Sequence, residues 1–570
     1  MNILIGISLI TLLILLVQNK FKAGFLFFGL VLLYYFLDLI KLEKMLGGFI
    51  NSSLITLVLL LIISIVFEKT FFVTTIGDKL FSKSYTKSLL KLSLFTSLFS
   101  AFLNNTAVVA SMMSVVKQNK FHSPSKLLLP LSYAAIFGGT ITLIGTSTNL
   151  LINSFMIENN ITPLKLFDFV YVGIPIAFIG AFILLFIARF LPDIKSEKQI
   201  ENYFLEAKVL KNSKLIGKSV LENKLRNLEY LFLSEILRND KIISPVNPNE
   251  IICENDTLLL SGDIKHIEIL KNFDGLVLDN VNQKFDKNIV EVILSHESTL
   301  INKTIKDTNF RTKFNASVVA IKRGNQQLSG KISEVKLQMG DNIVLAVGDD
   351  FTKRDNIEKN FYIISKIGLE KRLDKKSSFF VLFSFLAILF SSFFGIISLV
   401  KGLFLLLAIF LGFKLISVSE IQRRFPYELV LIIGSALGIA HVMIDSGISK
   451  YLADFLSFLF GSYGIFGAFI SIYLFTFLLT EIITNNAAAA LSFPIAYSTA
   501  ITFDSSILPF VMAVAYGASA SFIFPYGYQT NLMVYSVGKY NIKTFFKSGI
   551  VVSIVYSALV LVLIPIFFPF

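Results

Sequence analysis

Charged residues are distributed unevenly along this 570-residue chain. Residues 193–376 hold 57 of its 91 Lys, Arg, Asp and Glu residues, and the other 386 residues share only 34. Soluble domains usually carry about a quarter charged residues, so the sequence outside 193–376 is too apolar to face water. The pattern predicts a polytopic α-helical membrane protein interrupted by one soluble insert. It excludes a soluble enzyme, a disordered chain and a secreted disulfide scaffold.

Apolar stretches long enough to cross roughly 30 Å of hydrocarbon occur on both sides of the insert. They lie at 2–17, 24–40, 53–67, 93–116, 127–157, 169–191, 378–399, 402–416, 427–444, 463–479, 482–503, 508–536 and 549–570. The insert has a net charge of +3 and the membrane portion one of +10, a surplus typical of cytoplasmic loops. We therefore expect a multi-pass protein in the lipid of a bacterial inner membrane, with residues 193–376 in the cytoplasm. The 41–44 loop would then be cytoplasmic too, and the number of crossings before residue 192 would be even.

The insert repeats itself with a spacing of 85 residues. Lys214–Val220 recurs as Thr299–Ile305, and Asn255–Asp263 recurs as Gly340–Asp349 with one residue added. Short β-type runs between Asn, Asp, Gly and Lys residues indicate two tandem α+β modules rather than one domain. The pattern resembles TrkA-C, the C-terminal lobe of the TrkA (RCK) regulatory domain. Two such modules would offer a crevice for a small cytoplasmic ligand.

The insert shows no sequence signal for a cofactor or for nucleic acid. It lacks the Gly-rich phosphate loop of a dinucleotide-binding lobe, so no organic cofactor is expected. It is nearly neutral without a basic run, so no nucleic-acid partner is expected. The one cysteine, Cys253, excludes an internal disulfide and a cysteine-ligated metal site. The predicted organisation is an N-terminal membrane half at 1–192, TrkA-C-like domains at 201–280 and 284–368, and a C-terminal membrane half at 377–570.

The membrane portion carries a repeat of its own. Leu103–Ala107 reads Leu-Asn-Asn-Thr-Ala, and Ile483–Ala487, 380 positions later, reads Ile-Thr-Asn-Asn-Ala. Each motif is followed by a proline-led apolar segment that ends in a polar break, at Gly145–Leu150 and at Pro525–Leu532. Paired, polar-interrupted segments in corresponding halves are typical of the binding site of a secondary transporter built from two inverted repeats.

Adjacent asparagines inside apolar sequence need a physical reason, because an unpaired amide in hydrocarbon costs several kcal/mol. We predict two re-entrant helical hairpins whose tips are Asn104–Thr106 and Thr484–Asn486, each followed by a broken helix. Carbonyl oxygens at such tips suit a hard cation such as sodium, and amide and hydroxyl donors suit an oxyanion. The alternative is that the asparagines only join packed helices by hydrogen bonds.

These motifs resemble the divalent anion:sodium symporter family, within the wider ion transporter superfamily. That family has a Ser-Asn-Thr tip on each hairpin, the second preceded by Thr-Glu, and a Pro-Pro-Asn-type break in each half. Here Thr480-Glu481, the central Asn of each tip and the last Asn of each break are present, whereas the serines and prolines are replaced. The resemblance implies a homodimer with an elevator-type mechanism, and members with inserted TrkA-C pairs resemble sulfate permeases more than dicarboxylate carriers.

The resemblance also implies site residues. The first sodium ion would be bound by Ser100, Asn105 and the Gly145 carbonyl, and the second by Thr480, Asn485 and the Gly527 carbonyl. The anion would be bound by Asn104, Asn105, Thr106, Thr484, Asn485 and Asn486, together with Thr148, Asn149, Thr530 and Asn531 of the breaks.

The function expected is a sodium-coupled secondary active symporter that imports a divalent oxyanion, with sulfate favoured. The four histidines are scattered, so no catalytic constellation is expected and the chain is not predicted to be an enzyme. The alternatives are a symporter of a succinate-like dicarboxylate, a ligand-gated ion channel, and a sensor that binds its anion without moving it. Glu481 could be a proton site, but its place in the Thr-Glu motif favours a carboxylate that orients the hairpin.

Overall fold

A computed structural model gives the fold of most of the chain. In the membrane portion it describes residues 2–18, 21–70, 80–194, 373–459 and 463–570. In the insert it describes residues 204–225, 228, 231–239, 241–243, 246–262, 270, 273–279, 289–295, 298–324, 326–328, 332–348, 350–351, 354 and 356–364. The predicted domain ends at 201, 280, 284 and 368 lie outside the described residues.

The first membrane half is helical. Its helices are α1 (Asn2–Gln18), α2 (Ala23–Phe36), α3 (Leu42–Gly47), α4 (Ser52–Glu68), α5 (Tyr85–Ser100), α6 (Asn105–Gln118), α7 (Pro124–Gly139), α8 (Ser147–Glu158) and α9 (Val170–Ile187). Local sequence explains two starts that matter for the site. Asn104 caps α6, because its Oδ1 accepts a hydrogen bond from the Thr106 N–H at 2.8 Å. Pro124 occupies the first position of α7, where no backbone N–H is needed.

The insert forms two small antiparallel β-sheets. The first contains β1 (Phe204–Val209), β2 (Leu231–Arg238), β3 (Lys241–Ile243), β4 (Thr257–Gly262) and β5 (Leu276–Asp279), in the order β3-β2-β4-β1-β5. The second contains β6 (Ile289–Leu294), β7 (Ala316–Arg323), β8 (Gln326–Gln327), β9 (Asn342–Val347) and β10 (Phe361–Ile363), in the order β10-β6-β9-β7-β8, with short helices α10 (Phe310–Phe314) and α11 (Ile357–Asn360). Read from its other edge, the second sheet has the order β8-β7-β9-β6-β10. This is the order of the first sheet, with each strand replaced by the strand five later in the chain.

One ion pair recurs in both sheets at the 85-residue spacing. Arg238 Nε lies 2.8 Å from Asp256 Oδ1, and Arg323 Nε lies 2.8 Å from Asp341 Oδ1. Both aspartates are buried, whereas both arginines are partly exposed. The repeat in the sequence therefore corresponds to a repeat in structure, and we call residues 204–279 the first β module and residues 289–364 the second β module.

The second membrane half has ten further helices among its described residues. They are α12 (Lys375–Phe393), α13 (Leu399–Gly412), α14 (Val418–Arg424), α15 (Tyr427–Asp445), α16 (Ile448–Leu459), α17 (Gly464–Ile482), α18 (Asn485–Thr502), α19 (Ile507–Ser519), α20 (Gln529–Val537) and α21 (Ile542–Phe567). Within the described ranges, six helical segments are long and apolar enough to cross a membrane: Leu42–Glu68, Val170–Ile187, Lys375–Phe393, Tyr427–Asp445, Gly464–Ile482 and Ile542–Phe567. The chain is thus a polytopic helical membrane protein with a β-rich insert.

The 41–44 segment lies on the face opposite the insert, contrary to our prediction. Lys44 Nζ lies 3.6 Å from Asp445 Oδ2, at the end of α15. The other end of α4 is near the insert, because the N–H of Leu373, which follows the insert, donates to the Lys69 carbonyl at 2.9 Å. The 41–44 segment and the insert are therefore separated by the length of α4.

The predicted even number of crossings before residue 192 is also wrong. It counted the apolar stretch 93–116 as one crossing, although the re-entrant hairpin predicted within that stretch adds none. In the structure α5 and α6 form a hairpin that returns to its starting face. His122 Nε2, after α6, lies 2.8 Å from the carbonyl oxygen of Ser82, before α5. Hydropathy alone does not distinguish such a hairpin from a single span, because both present apolar side chains throughout.

The two interrupted helix pairs run in opposite directions. Ser132, midway along α7, lies 2.8 Å from Thr530 at the start of α20, and the Ser125 carbonyl accepts a hydrogen bond from Tyr540 OH, beyond the end of α20, at 2.6 Å. Helices α7 and α20 are therefore antiparallel neighbours. This arrangement brings both polar breaks to the middle of the helical body, beside the two hairpin tips.

Candidate functional site

Each hairpin tip contacts the polar break of the other half. In the first tip, Asn105 Nδ2 donates to Tyr528 OH at 2.5 Å, and Thr106 Oγ1 donates to Gln529 Oε1 at 3.1 Å. In the second tip, Asn486 Oδ1 accepts a hydrogen bond from Ser147 Oγ at 3.0 Å. Gln529 and Ser147 each begin the helix that follows a break, so the two sets of contacts are equivalent in the two halves.

The first predicted sodium site is assembled around Asn105. Ser100 Oγ donates to Asn105 Oδ1 at 2.6 Å, and both side chains are buried. A Cβ atom on Gly139 would lie 2.6 Å from Asn105 Nδ2, and one on Gly145 would lie 2.5 Å from the Gly139 carbonyl oxygen. The two glycines let the broken helix approach the tip closely. Ser100, Asn105 and Gly145 are therefore brought together, with Gly139 between them.

The second predicted sodium site has a similar arrangement around Gly527. A Cβ atom there would lie 2.8 Å from the Thr480 carbonyl oxygen and would overlap Ser521 Oγ. Thr480 Oγ1 donates to the Ala518 carbonyl at 2.7 Å. Asn485 begins α18 and is half-buried. Thr480 and Gly527 are thus adjacent.

Ser521 is a site residue that the sequence interpretation missed. Its hydroxyl is completely buried, and it has no hydrogen-bond partner among the residues that the structure describes. It faces Gly527, beside the Thr480 carbonyl. A hydroxyl and carbonyl oxygens are the ligands that a hard cation prefers, so these residues fit a sodium ion. Its local sequence does not mark it, because its closeness to Gly527 and Thr480 arises only in the fold.

The asparagines of the breaks hold the breaks in shape. Asn149 Nδ2 donates to the Thr142 carbonyl at 3.0 Å, and Asn531 Nδ2 donates to the Ser521 carbonyl at 2.8 Å. Both side chains are fully buried. Each amide therefore stabilises the conformation of its own break. Anion binding by Asn149 and Asn531 stays a prediction.

The threonines of the breaks are also bonded within the protein. Thr148 Oγ1 lies 3.3 Å from Ser519 Oγ, and Thr530 Oγ1 lies 2.8 Å from Ser132 Oγ. Both are fully buried, so they join the two halves behind the tips. By contrast, Asn104 is half-buried and Thr484 is exposed, and anion binding by these two residues stays a prediction.

Glu481 organises the second break through three backbone amides. Its Oε1 accepts hydrogen bonds from the Phe522 and Ile523 N–H groups at 2.8 and 2.9 Å, and its Oε2 accepts one from the Phe524 N–H at 3.0 Å. A buried irregular segment must have its N–H groups satisfied, and a carboxylate does this for three consecutive residues. The contacts are those of an orienting carboxylate.

A crevice leads from the insert's face of the helical body toward the first tip. It lies between α4 and the α5–α6 hairpin. Glu68 lines one end of the crevice, and Leu103, the residue before Asn104, lines the end near the tip. At its mouth, Arg424 binds Glu68 with two hydrogen bonds of 2.8 and 3.0 Å. The crevice approaches the tip from the insert's face, between two helical units.

Two polar hairpin tips, each in contact with the break of the opposite half, lie within an apolar helical body, an arrangement typical of membrane transport proteins. Comparison with known proteins supports this class. The chain belongs to the Citrate transporter family, whose family model matches residues 5–515. The match covers both tips and the first break and stops before the second break.

Several relatives align over much of the chain. An uncharacterized transporter of Synechocystis sp. is 28% identical over 551 residues, which cover 91% of this chain and 90% of the relative. A Chlamydomonas reinhardtii protein named "Putative sulfur deprivation response regulator" is 30% identical over 483 residues, or 79% of this chain and 82% of the relative. Sodium/sulfate cotransporter 1 of the same alga is 27% identical over 369 residues, or 60% of this chain and 41% of the relative.

Proposed function

We propose that this chain is a sodium-coupled symporter that imports a divalent oxyanion, namely sulfate. The observation that carries the proposal is the buried, unpartnered hydroxyl of Ser521 beside Gly527 and Thr480. An unsatisfied buried hydroxyl is costly unless a ligand pairs with it, and its neighbours present oxygen atoms suited to sodium. The name of the Chlamydomonas sodium/sulfate cotransporter supports the same ion and the same anion.

The anion would lie between the tips, touching Asn104 to Thr106 and Thr484 to Asn486. These six residues supply amide and hydroxyl donors but no cationic side chain. A compact tetrahedral dianion needs one cluster of short donors, whereas a longer dicarboxylate presents a second, distant charge that usually attracts Arg or Lys. Sodium ions at the Asn105 and Gly527 sites would supply the missing positive charge.

Transport would follow an elevator-type mechanism in a homodimer in the bacterial inner membrane, with the insert in the cytoplasm. The crevice between α4 and the α5–α6 hairpin supports this part of the proposal, because it separates a tip-bearing unit from a neighbouring helix on the insert's face. The β modules would act as TrkA-C-like regulatory domains that bind a small cytoplasmic ligand.

Proteoliposome uptake tests the proposal directly. Labelled sulfate, succinate and citrate are each offered with and without an inward sodium gradient, and with a potassium gradient as the control. We expect sodium-driven uptake of sulfate that unlabelled succinate inhibits only at higher concentration. Failure of a sodium gradient to drive any of the three anions would refute the symport proposal.

A carboxylate substrate is the second candidate, because the family that contains the chain is named for citrate transport. Its distinguishing result is sodium-driven uptake of citrate or succinate that sulfate does not inhibit. A sensor that binds without transport is favoured by the name of one Chlamydomonas relative. It predicts that sulfate with sodium raises the melting temperature while no uptake occurs.

A further inference from the structure

The two β modules differ at two turn positions where their backbones are alike. Asn239 and Asn255 of the first module have positive φ values of 47° and 61° and are exposed. Their equivalents in the second module, 85 positions later, are Gly324 and Gly340, with φ values of 58° and 80°, and both are buried. Asparagine enters this left-handed region readily, so backbone conformation alone does not require the glycines.

The second module needs glycine because helix α20 packs against both turns. A Cβ atom on Gly324 would lie 2.5 Å from Tyr535 Cε1, and one on Gly340 would lie 2.7 Å from Leu532 Cγ. The Gly324 N–H also donates to Ser536 Oγ at 3.2 Å. A side chain at either turn would force Tyr535 or Leu532 out of its present position, because packed atoms do not approach so closely.

A salt bridge holds the same module to the first hairpin. Glu291 Oε2, in β6, lies 2.5 Å from Lys117 Nζ in the last turn of α6, and the side chains are 29% and 20% exposed. Asn342 Nδ2 donates to Glu291 Oε1 at 2.7 Å and so fixes the carboxylate. We call the contacts of Gly324, Gly340 and Glu291 with α20 and α6 the dock.

Both docked helices begin with residues of the candidate site. Helix α20 starts at Gln529, and Leu532 lies one turn later on the same face. Gln529 and Leu532 also line, with Met339 of the module, a small gap between module and helix. A nine-residue helix is about 13 Å long and moves as a unit, so a displacement at Ser536 is transmitted to Gln529.

We propose that the second β module positions α20, and with it the Gln529–Asn531 end of the candidate anion site, through the dock. This inference rests on the proposed function, because it takes the tips and breaks to be the anion site. The second module is thus the part of the insert that acts on transport. Opening the dock releases α20, weakens the Thr106–Gln529 contact and lowers the affinity for the anion.

The test uses Gly340→Asn and Gly324→Asn in the full-length protein. Asparagine is the residue that the first module has at these positions, so the module itself keeps its fold and only the contact with α20 is lost. The matched controls are Asn255→Gly and Asn239→Gly in the first module. Hydrogen exchange of the α20 amides measures how readily the helix opens, independently of transport, and sulfate uptake measures the consequence for the site.

We expect faster exchange across residues 529–537 in Gly340→Asn and Gly324→Asn, but not in the controls. We also expect the KM for sulfate to rise roughly 5-fold or more, with a smaller change in maximal rate. Equal exchange in Gly340→Asn and Asn255→Gly would overturn the dock. Faster exchange with an unchanged KM would overturn its effect on the site and leave the proposed function standing.

A parent protein that transports no sulfate would contradict the proposed function and not the dock, since the exchange measurement still compares the four variants. A charge exchange gives a second, independent comparison. Lys117→Glu and Glu291→Lys should each speed exchange in α20, and the double variant should restore much of the parental rate. Single variants with parental exchange would contradict the role of this salt bridge.

Discussion

The side-chain amide of Asn105 lies 2.5 Å from the phenol oxygen of Tyr528, 423 positions later in the chain. The same asparagine accepts a hydrogen bond from Ser100 within its own hairpin. Its amide therefore joins the first tip to the break of the second half. The candidate site is thus made by pairing between halves, and its residues can be tested one at a time.

Asn105→Ala and Asn485→Ala should each reduce sodium-driven uptake roughly 10- to 100-fold, because the cation loses a carbonyl ligand. Asn105→Ala also leaves the buried Ser100 hydroxyl and Tyr528 without their partner. Folding should largely persist, since both residues are at hairpin tips. The control is Asn153→Ala, which removes a buried amide bonded to Ser53 away from the tips. Uptake at the wild-type rate by either tip variant would contradict the site.

Ser521→Ala should raise the sodium concentration for half-maximal uptake several-fold, while the KM for sulfate at saturating sodium changes little. The reason is that the variant removes a cation ligand without breaking a hydrogen bond among the described residues. Ser553→Ala is the matched control, because its hydroxyl is likewise buried without a partner there. Equal sodium dependence of the two variants would show that Ser521 does not bind the cation.

Glu481→Gln should destabilise the protein by about 1–3 kcal/mol, because an amide NH2 group would face the backbone N–H groups that now donate to the carboxylate. Thermal unfolding in detergent, followed with and without sulfate, measures the loss. Glu158→Gln, at the opposite face beside His441, is the control for a general carboxylate effect. If Glu481 were instead a proton site, the variant would keep its stability and lose the pH dependence of uptake.

The dock should be insensitive to pH across the physiological range. Burial alone would raise the pKa of the Glu291 carboxyl, but the Lys117 ammonium and the Asn342 amide outweigh it, and the pKa lies below its usual 4.5. A carboxyl with a lowered pKa contributes its stabilisation fully above the usual value and loses it as the pH falls through the lowered one. The dock should therefore hold from pH 5.5 to 8, by this reasoning, and open only as the pH falls through the lowered pKa of Glu291.

Fluorescence can follow the dock, because the chain contains no Trp. In Tyr362→Trp, the only indole would line the gap between the second β module and α20, and its emission should stay constant until the acid transition. Adding Glu291→Gln should remove that transition. A change in emission between pH 6 and 8 would mean that a titratable group other than Glu291 controls the contact between the second β module and α20.

Replacing residues 195–372 with a flexible linker should preserve sodium-dependent uptake, because both tips and both breaks lie outside the insert. The KM or the response to cytoplasmic ligands should change, since α20 loses its dock. The alternative to a regulatory role is that the insert only stabilises a dimer. A linker variant that stays dimeric, with parental kinetics under every cytoplasmic condition tried, would contradict the regulatory role.

The sequence predicted the parts of the site that are local. The Asn104 side chain caps α6, as expected of an asparagine at a helix start, and the breaks fall where polar residues interrupt apolar runs. It did not reveal Tyr528 and Gln529 as partners of the first tip, because their contacts depend on the antiparallel course of α7 and α20. Ser147 and Gln529, 382 positions apart, occupy the same place in the two breaks. This correspondence was the sequence signal that could have indicated equivalent contacts with the tips.

The side of the membrane on which the 41–44 segment lies was mispredicted for a related reason. Hydropathy measures how apolar a segment is, and the α5–α6 hairpin is as apolar as a span. The contact between His122 and Ser82 shows that the chain turns back. The asparagine tip had predicted a hairpin here, but the count of crossings did not take that hairpin into account.

The exchange of contacts between tips and breaks makes the two halves dependent on each other. The first tip is completed by Gln529, and the second tip by Ser147. A chain with one half could satisfy its tip only by associating with an upside-down copy of itself. The same requirement would hold for an ancestor that preceded duplication, which must have assembled as an antiparallel pair. It also implies that 1–192 and 377–570, produced as separate polypeptides, should regain activity only when they are made in the same cell.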